Sequence, residues 1–236
     1  RVMKTIGILG GMSWESTRTY YRLINEGVRE RLGGLNSARI LLDSVNFADV
    51  EPLLRSGKWD ELGDVLCSHA LRLERAGADF LLLATNTMHK LAPRIEERLS
   101  IPLLHIADAA AGAVTAMGLD TVGLLGTRPT MDEDFFTARL ARHGLKAMVP
   151  DCEDSRCAVH RIIFDELCQG RILDASRRAY EEVIDGLVGR GAQAVILGCT
   201  EIALLVSSGP VPLIDTTAVH ARAAVALALD GIKEHP

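Results

Sequence analysis

Three blocks of this 236-residue chain return, in the same order, little more than a hundred positions further on. Ile6-Gly7-Ile8-Leu9-Gly10 returns as Val122-Gly123-Leu124-Leu125-Gly126, an offset of 116. The stretch from Ala76 to Asn86 returns from Arg190 to Thr200, an offset of 114, and Ile101-Pro102-Leu103-Leu104 returns as Val211-Pro212-Leu213-Ile214, an offset of 110. Offsets that drift this slowly mark one supersecondary design used twice.

Each block holds a short apolar run that stops at glycine or small polar residues, the pattern of a parallel strand buried on both faces. Helical periodicity lies between the runs. Tyr21, Ile24, Val28 and Leu32 recur before Gly33-Gly34, and Leu62, Val65, Leu66, His69 and Leu73 share a face that ends at Gly77, with His69 at its edge. Further helices are expected over Ala109–Met117, Arg161–Leu167, Glu201–Val206 and Ala218–Ile232. The alternation predicts an α/β protein of two similar halves, each a small parallel sheet flanked by helices, related by a pseudo-two-fold axis. The expected division is residues 1–104 with 215–236 for one half and 105–214 for the other, with the active site in the cleft between them.

Composition narrows the partners. A net charge of -5 leaves no basic footprint for nucleic acid or an anionic membrane. No long apolar span occurs, and the first residues run straight into a strand, so a cytoplasmic location is expected. The five cysteines are odd in number and scattered, which argues against a disulfide framework. Cys152, Cys157 and His160 lack a second ligand pair, so no metal site is expected. Gly7-x-x-Gly10-Gly11 lacks the dinucleotide spacing, and the alternative is a turn whose glycines let the backbone approach a small anionic ligand.

The run Ala194-Val195-Ile196-Leu197-Gly198-Cys199-Thr200 ends at a cysteine. At a strand end before a helix, Cys199 would have its thiolate favoured by the helix dipole; the other reading is a small buried hydrophobe. The repeat supplies a partner, because Thr85 ends the equivalent strand of the first half. Two such residues on opposite sides of one cleft would serve the two faces of a carbon, one removing a proton and the other returning it.

Gly10-Gly11-Met12-Ser13-Trp14-Glu15-Ser16-Thr17, Thr85-Asn86-Thr87-Met88-His89 and Gly198-Cys199-Thr200-Glu201, taken in this order, resemble the aspartate/glutamate/hydantoin racemase superfamily over nearly the whole chain. The resemblance implies a cofactor-independent amino-acid racemase, most simply of aspartate, glutamate or a related L-amino acid, and a homodimer. Members usually carry a cysteine in each half. Here Thr85 stands where the first is expected, which resembles a branch with a Thr/Cys catalytic pair and a preference for the L-enantiomer. A threonine hydroxyl is a poor base but can donate or relay a proton, so Cys199 is expected to abstract and Thr85 to serve the other face.

Without a cofactor to delocalise the carbanion, N–H groups and hydroxyls at the α-carboxylate must stabilise it. Asn86, Thr87 and Thr200 are the candidates, with simple N-capping as the alternative. Met12 matches a family position that touches substrate, although it also fits a core position. Arg55, Lys58, Arg128 and Arg161 are candidate cations for a side-chain carboxylate, His89 could orient a neighbour, and Glu201 could polarise Cys199. The other functional readings are a single-cysteine decarboxylase or isomerase of the same superfamily and a non-catalytic carboxylate-binding protein.

Overall fold

The computed structural model describes residues 2–232. In order, the first elements are β1 (Ile6–Gly10), α1 (Trp14–Leu32), β2 (Ile40–Ser44), α2 (Phe47–Arg55), α3 (Trp59–Arg75), β3 (Phe80–Leu83), a 3-10 helix (Thr87–Leu91), α4 (Ala92–Glu96) and β4 (Leu103–Leu104). Then come α5 (Ile106–Ala116), β5 (Thr121–Gly126), α6 (Arg128–Asp132), α7 (Asp134–Arg142), β6 (Lys146–Met148), α8 (Glu153–Asp165), a 3-10 turn (Leu167–Gln169), α9 (Asp174–Gly189), β7 (Ala194–Gly198), α10 (Ile202–Leu205), β8 (Leu213–Asp215) and α11 (Thr216–Ala228). The chain divides into two compact units: residues up to His105 with those from His220 onward, and Ile106–Val219.

The first unit is built on a four-stranded sheet of order β2-β1-β3-β4, parallel throughout. β1 and β3 are buried along their whole length, which is why they read as unbroken apolar runs. Side chains alternate across the sheet. Leu9, Leu81 and Leu83 meet Leu62, Leu66, Ala70 and Leu73 of α3, while Ile6, Ile8, Phe80 and Leu82 meet Tyr20, Ile24 and Val28 of α1 and Ala224 and Val225 of α11. Each fully buried side chain of this kind contributes roughly 1.5–3 kcal/mol. Exposed pairs such as Arg22–Glu26 and Arg55–Glu51 contribute about 0–1 kcal/mol, so the two apolar layers hold the unit.

The second unit repeats the design with sheet order β6-β5-β7-β8, again all parallel. Leu125, Val195 and Leu197 pack with Val159, Ile162, Ile163, Tyr180 and Ile184, and the opposite face sets Val122, Leu124, Ala194 and Ile196 against Ala107, Ala110, Phe136 and Leu140. Two α/β halves, each with a four-stranded parallel sheet, are what the repeat predicts.

Three elements differ from the sequence reading. α8 begins at Glu153 rather than Arg161, α10 is four residues long, and α11 spans Thr216–Ala228. The turn after β1 also differs in its cause. Gly11 has φ +89, and a Cβ there would lie 2.1 Å from the Val45 carbonyl oxygen, while a Cβ on Gly10 would lie 2.6 Å from the Thr17 side chain. The glycines thus admit the chain's own β2 end and α1.

Candidate active site

In each sheet the chain steps from the first strand to one neighbour and returns on the other side, from β1 to β2 and then β3, and from β5 to β6 and then β7. At such a switch point the two connections diverge beyond the carboxyl ends of adjacent strands and leave a crevice. Met12 and Thr85 follow β1 and β3 by two residues each, and Leu9 is paired with Leu83. Cys199 and Thr127 each follow their strands by one residue, and Gly126 is paired with Gly198. Thr85 and Cys199 therefore occupy corresponding switch points, each in its own unit.

In the first unit Thr85 is half-buried and its carbonyl accepts a hydrogen bond from Nδ1 of His89 at 2.7 Å. Asn86 is buried at the N-cap of the 3-10 helix but makes no side-chain capping bond, so the simple N-cap reading does not account for it. Thr87 opens that helix and is half-buried. Met12 packs in the apolar cluster with Leu9, Leu83 and Met88, the core position that its alternative reading describes. The loop before α1 is closed internally: Gly11 N–H donates to Thr17 Oγ1 at 2.9 Å, and Thr17 Oγ1 donates to the Ser13 carbonyl at 3.0 Å.

In the second unit Cys199 is half-buried, and its thiol donates to Glu201 Oε2 at 2.9 Å. Desolvation pushes the thiol well above its usual range, and the Glu201 carboxylate pushes it further up. The expectation that a helix N-terminus favours the thiolate is corrected here. α10 has only four residues, too little aligned backbone to offset burial beside a carboxylate. Cys199 rests as a protonated thiol with a proton acceptor already in contact. Thr200, half-buried, sits between the two.

The sequence does not single out Thr127, Thr130 or Thr216. Thr127 and Thr130 hydroxyls are buried 3.1 Å apart beyond β5, and Thr216 Oγ1 donates to the Leu197 carbonyl at 2.8 Å, fixing the strand end that presents Cys199. Their only signal is position in the repeat.

The candidate cations are mostly engaged. Arg55 pairs with Glu51, Lys58 with Glu61, and Arg128 with Asp132 and Glu153. Arg161 lines an open cavity of about 450 Å³ with Arg128, Cys157 and His160, a set that includes neither Cys199 nor Glu201. Among the described residues no three His, Cys, Asp or Glu side chains converge to hold a metal ion, and no helix is long and apolar enough to cross a membrane.

Residues 9–224 match the Asp/Glu/hydantoin racemase family, and the chain belongs to it. Its class is that of an isomerase acting on amino acids. The chain is 50% identical to a Yersinia pestis protein described provisionally as an Asp/Glu racemase, covering 96% of this chain and 100% of that one with a TM-score of 0.91. An aspartate racemase homologue from Pyrococcus horikoshii OT3 is 32% identical, with 96% and 99% covered and a TM-score of 0.83. The broad specificity amino-acid racemase RacX of Bacillus subtilis (strain 168) is 25% identical, covering 93% of this chain and 96% of RacX.

Proposed function

We propose that the protein racemises an amino acid without a cofactor, with aspartate, glutamate or a related L-amino acid as substrate. Cys199 takes the Cα proton of the L-enantiomer after passing its own thiol proton to Glu201. Thr85 serves the opposite face, its hydroxyl relaying a proton from solvent onto the carbanion and so ending unchanged, and Glu201 returns to solvent the proton it took from the thiol, which restores the pair. N–H groups and hydroxyls of Asn86, Thr87 and Thr200 stabilise the negative charge that spreads onto the α-carboxylate. The observation that carries the reading is the Cys199–Glu201 contact at 2.9 Å, which gives an otherwise protonated thiol a route to the thiolate. Family membership and the matched place of Thr85 in the repeat support the pairing. The engaged states of Arg55, Lys58 and Arg128 favour a site tolerant of several side chains, as the name of RacX describes for that protein. A cytoplasmic homodimer completes the proposal, its assembly to be read by sedimentation.

The test is incubation of the purified protein with L-aspartate, L-glutamate and L-homoserine in deuterated water, followed by chiral chromatography and mass measurement. Formation of the D-enantiomer with deuterium at Cα is expected. Binding without exchange, or wild-type α-proton exchange in Cys199→Ala, overturns it.

A further inference from the structure

Behind the Thr85 turn the first unit holds a buried cluster of His89, His105, His220 and Tyr20. His89 is 1% exposed and lies on the 3-10 helix directly after the Thr85–Asn86 turn. Its ring is edge-on to His105 at 4.5 Å and to His220 at 5.8 Å between centroids. His220, on α11, donates from Nε2 to the Leu104 carbonyl at 2.8 Å, so in the neutral ring Nδ1 accepts from the Tyr20 hydroxyl of α1, also at 2.8 Å. The 3-10 helix, the β4–α5 connection, α11 and α1 thus all fix the orientation of one imidazole.

That imidazole reaches the turn that carries Thr85. A carbonyl only accepts, so the 2.7 Å contact requires the proton of His89 on Nδ1 and spans the turn from Thr85 to His89. With N–H of His89 bonded to the Asn86 carbonyl at 3.0 Å, both ends of the residue hold the same loop. We infer that His89, backed by His105, His220 and Tyr20, is a positioning residue that sets the backbone of Thr85 and hence the face from which its hydroxyl delivers a proton. The inference rests on the proposal that Thr85 serves one face of the substrate. The bonds of His89 lie in the first unit, whereas Cys199 is held in the second, by Glu201 at its side chain and by Thr216 at the strand end before it. The two faces are therefore separable by mutation.

The experiment compares wild type and His89→Asn with an L-substrate in deuterated water, following D-product and deuterium in the recovered L-enantiomer. Loss of positioning lowers D-product roughly ten- to a hundred-fold, while the initial rate of deuterium entry into recovered L stays at the wild-type level, because Cys199 still abstracts and its thiol proton exchanges with solvent before it is returned. A proportional fall in both, or no change in either, overturns the inference. Should the variant not fold, the 15N shifts of the wild-type His89 ring decide: Nδ1–H is expected, and an Nε2–H tautomer overturns the inference. Thr85→Ala tests the underlying reading separately, since undiminished D-product in that variant removes Thr85 from the chemistry whatever the tautomer of His89.

Discussion

The thiol of Cys199 donates to Oε2 of Glu201 across 2.9 Å, from one residue of a turn to the next but one. A thiol and a carboxylate sharing one proton carry the same total charge wherever the proton sits, so handing it over adds no net buried charge. For free groups the transfer is uphill by about 4 pKa units, or roughly 6 kcal/mol. Burial raises the thiol further, so that figure is a floor for the transfer, to be set against the barrier of about 13–17 kcal/mol that ordinary enzymatic turnover allows.

Glu201→Gln separates acceptor from environment. Removing the carboxylate lowers the thiol toward its usual range, because Glu201 is one of the groups that raises it. Alkylation of Cys199 by iodoacetamide at neutral pH is therefore expected to speed up, while racemisation falls by roughly 10²–10⁴-fold for loss of a proton acceptor. A parallel fall in both would mean that Glu201 only holds the loop.

Thr85→Cys places a group of thiol acidity at the first switch point. The initial rates from L- and D-substrate, measured separately, are expected to move toward each other, chiefly through a faster rate from D. Unchanged asymmetry would count against Thr85 as the second proton-active position.

Acid should destabilise the fold through the histidine cluster. Burial, then the like charges of His105 and His220, hold His89 well below the usual imidazole value. An unfolded histidine takes up its proton near pH 6.5, whereas native His89 does not, so the unfolded state binds more protons below that point. The stability that depends on neutral His89 is whole above about pH 6.5 and is lost as pH falls toward the native value. Urea midpoints measured from pH 7.5 down to 5 are expected to fall, and to fall less steeply in His89→Gln. His105 and His220 face the ring, and Tyr20 stands behind His220, so the variant isolates one member of the cluster rather than the whole.

Gly11→Ala is expected to lower stability by more than about 2 kcal/mol, since φ is +89 and the added carbon meets the Val45 carbonyl oxygen. Gly112→Ala, in α5 with open space at the new carbon, should instead raise it by about 0.5–1 kcal/mol. Urea denaturation of the pair checks both signs.

The strands are legible because β1, β3, β5 and β7 are buried on both faces and leave apolar runs. The places of Thr85 and Cys199 just beyond β3 and β7 are legible because the apolar runs stop there, twice. The first turns of α8 were not. Glu153, Asp154 and Cys157 are exposed, so no apolar period marks them, and their helix is tied by Arg156 to Glu153 and Asp132 and by Arg128 to Glu153. The reason for Gly10-Gly11 was hidden for a similar cause, since the atoms that crowd them belong to Thr17 and Val45 and are brought there by folding. The charge state of Cys199 was misread because a strand-then-helix pattern does not show how short α10 is or that Glu201 turns back onto the sulfur.

The short α10 also bears on how the protein ages. Peroxide attacks the thiolate and not the thiol, and a cysteine beside a long helix N-terminus or a cation would present that anion all the time. Cys199 is instead held protonated by burial and a carboxylate. Held as a thiol in this way, the sulfur resists the oxidation to sulfenic acid that a permanent thiolate would invite.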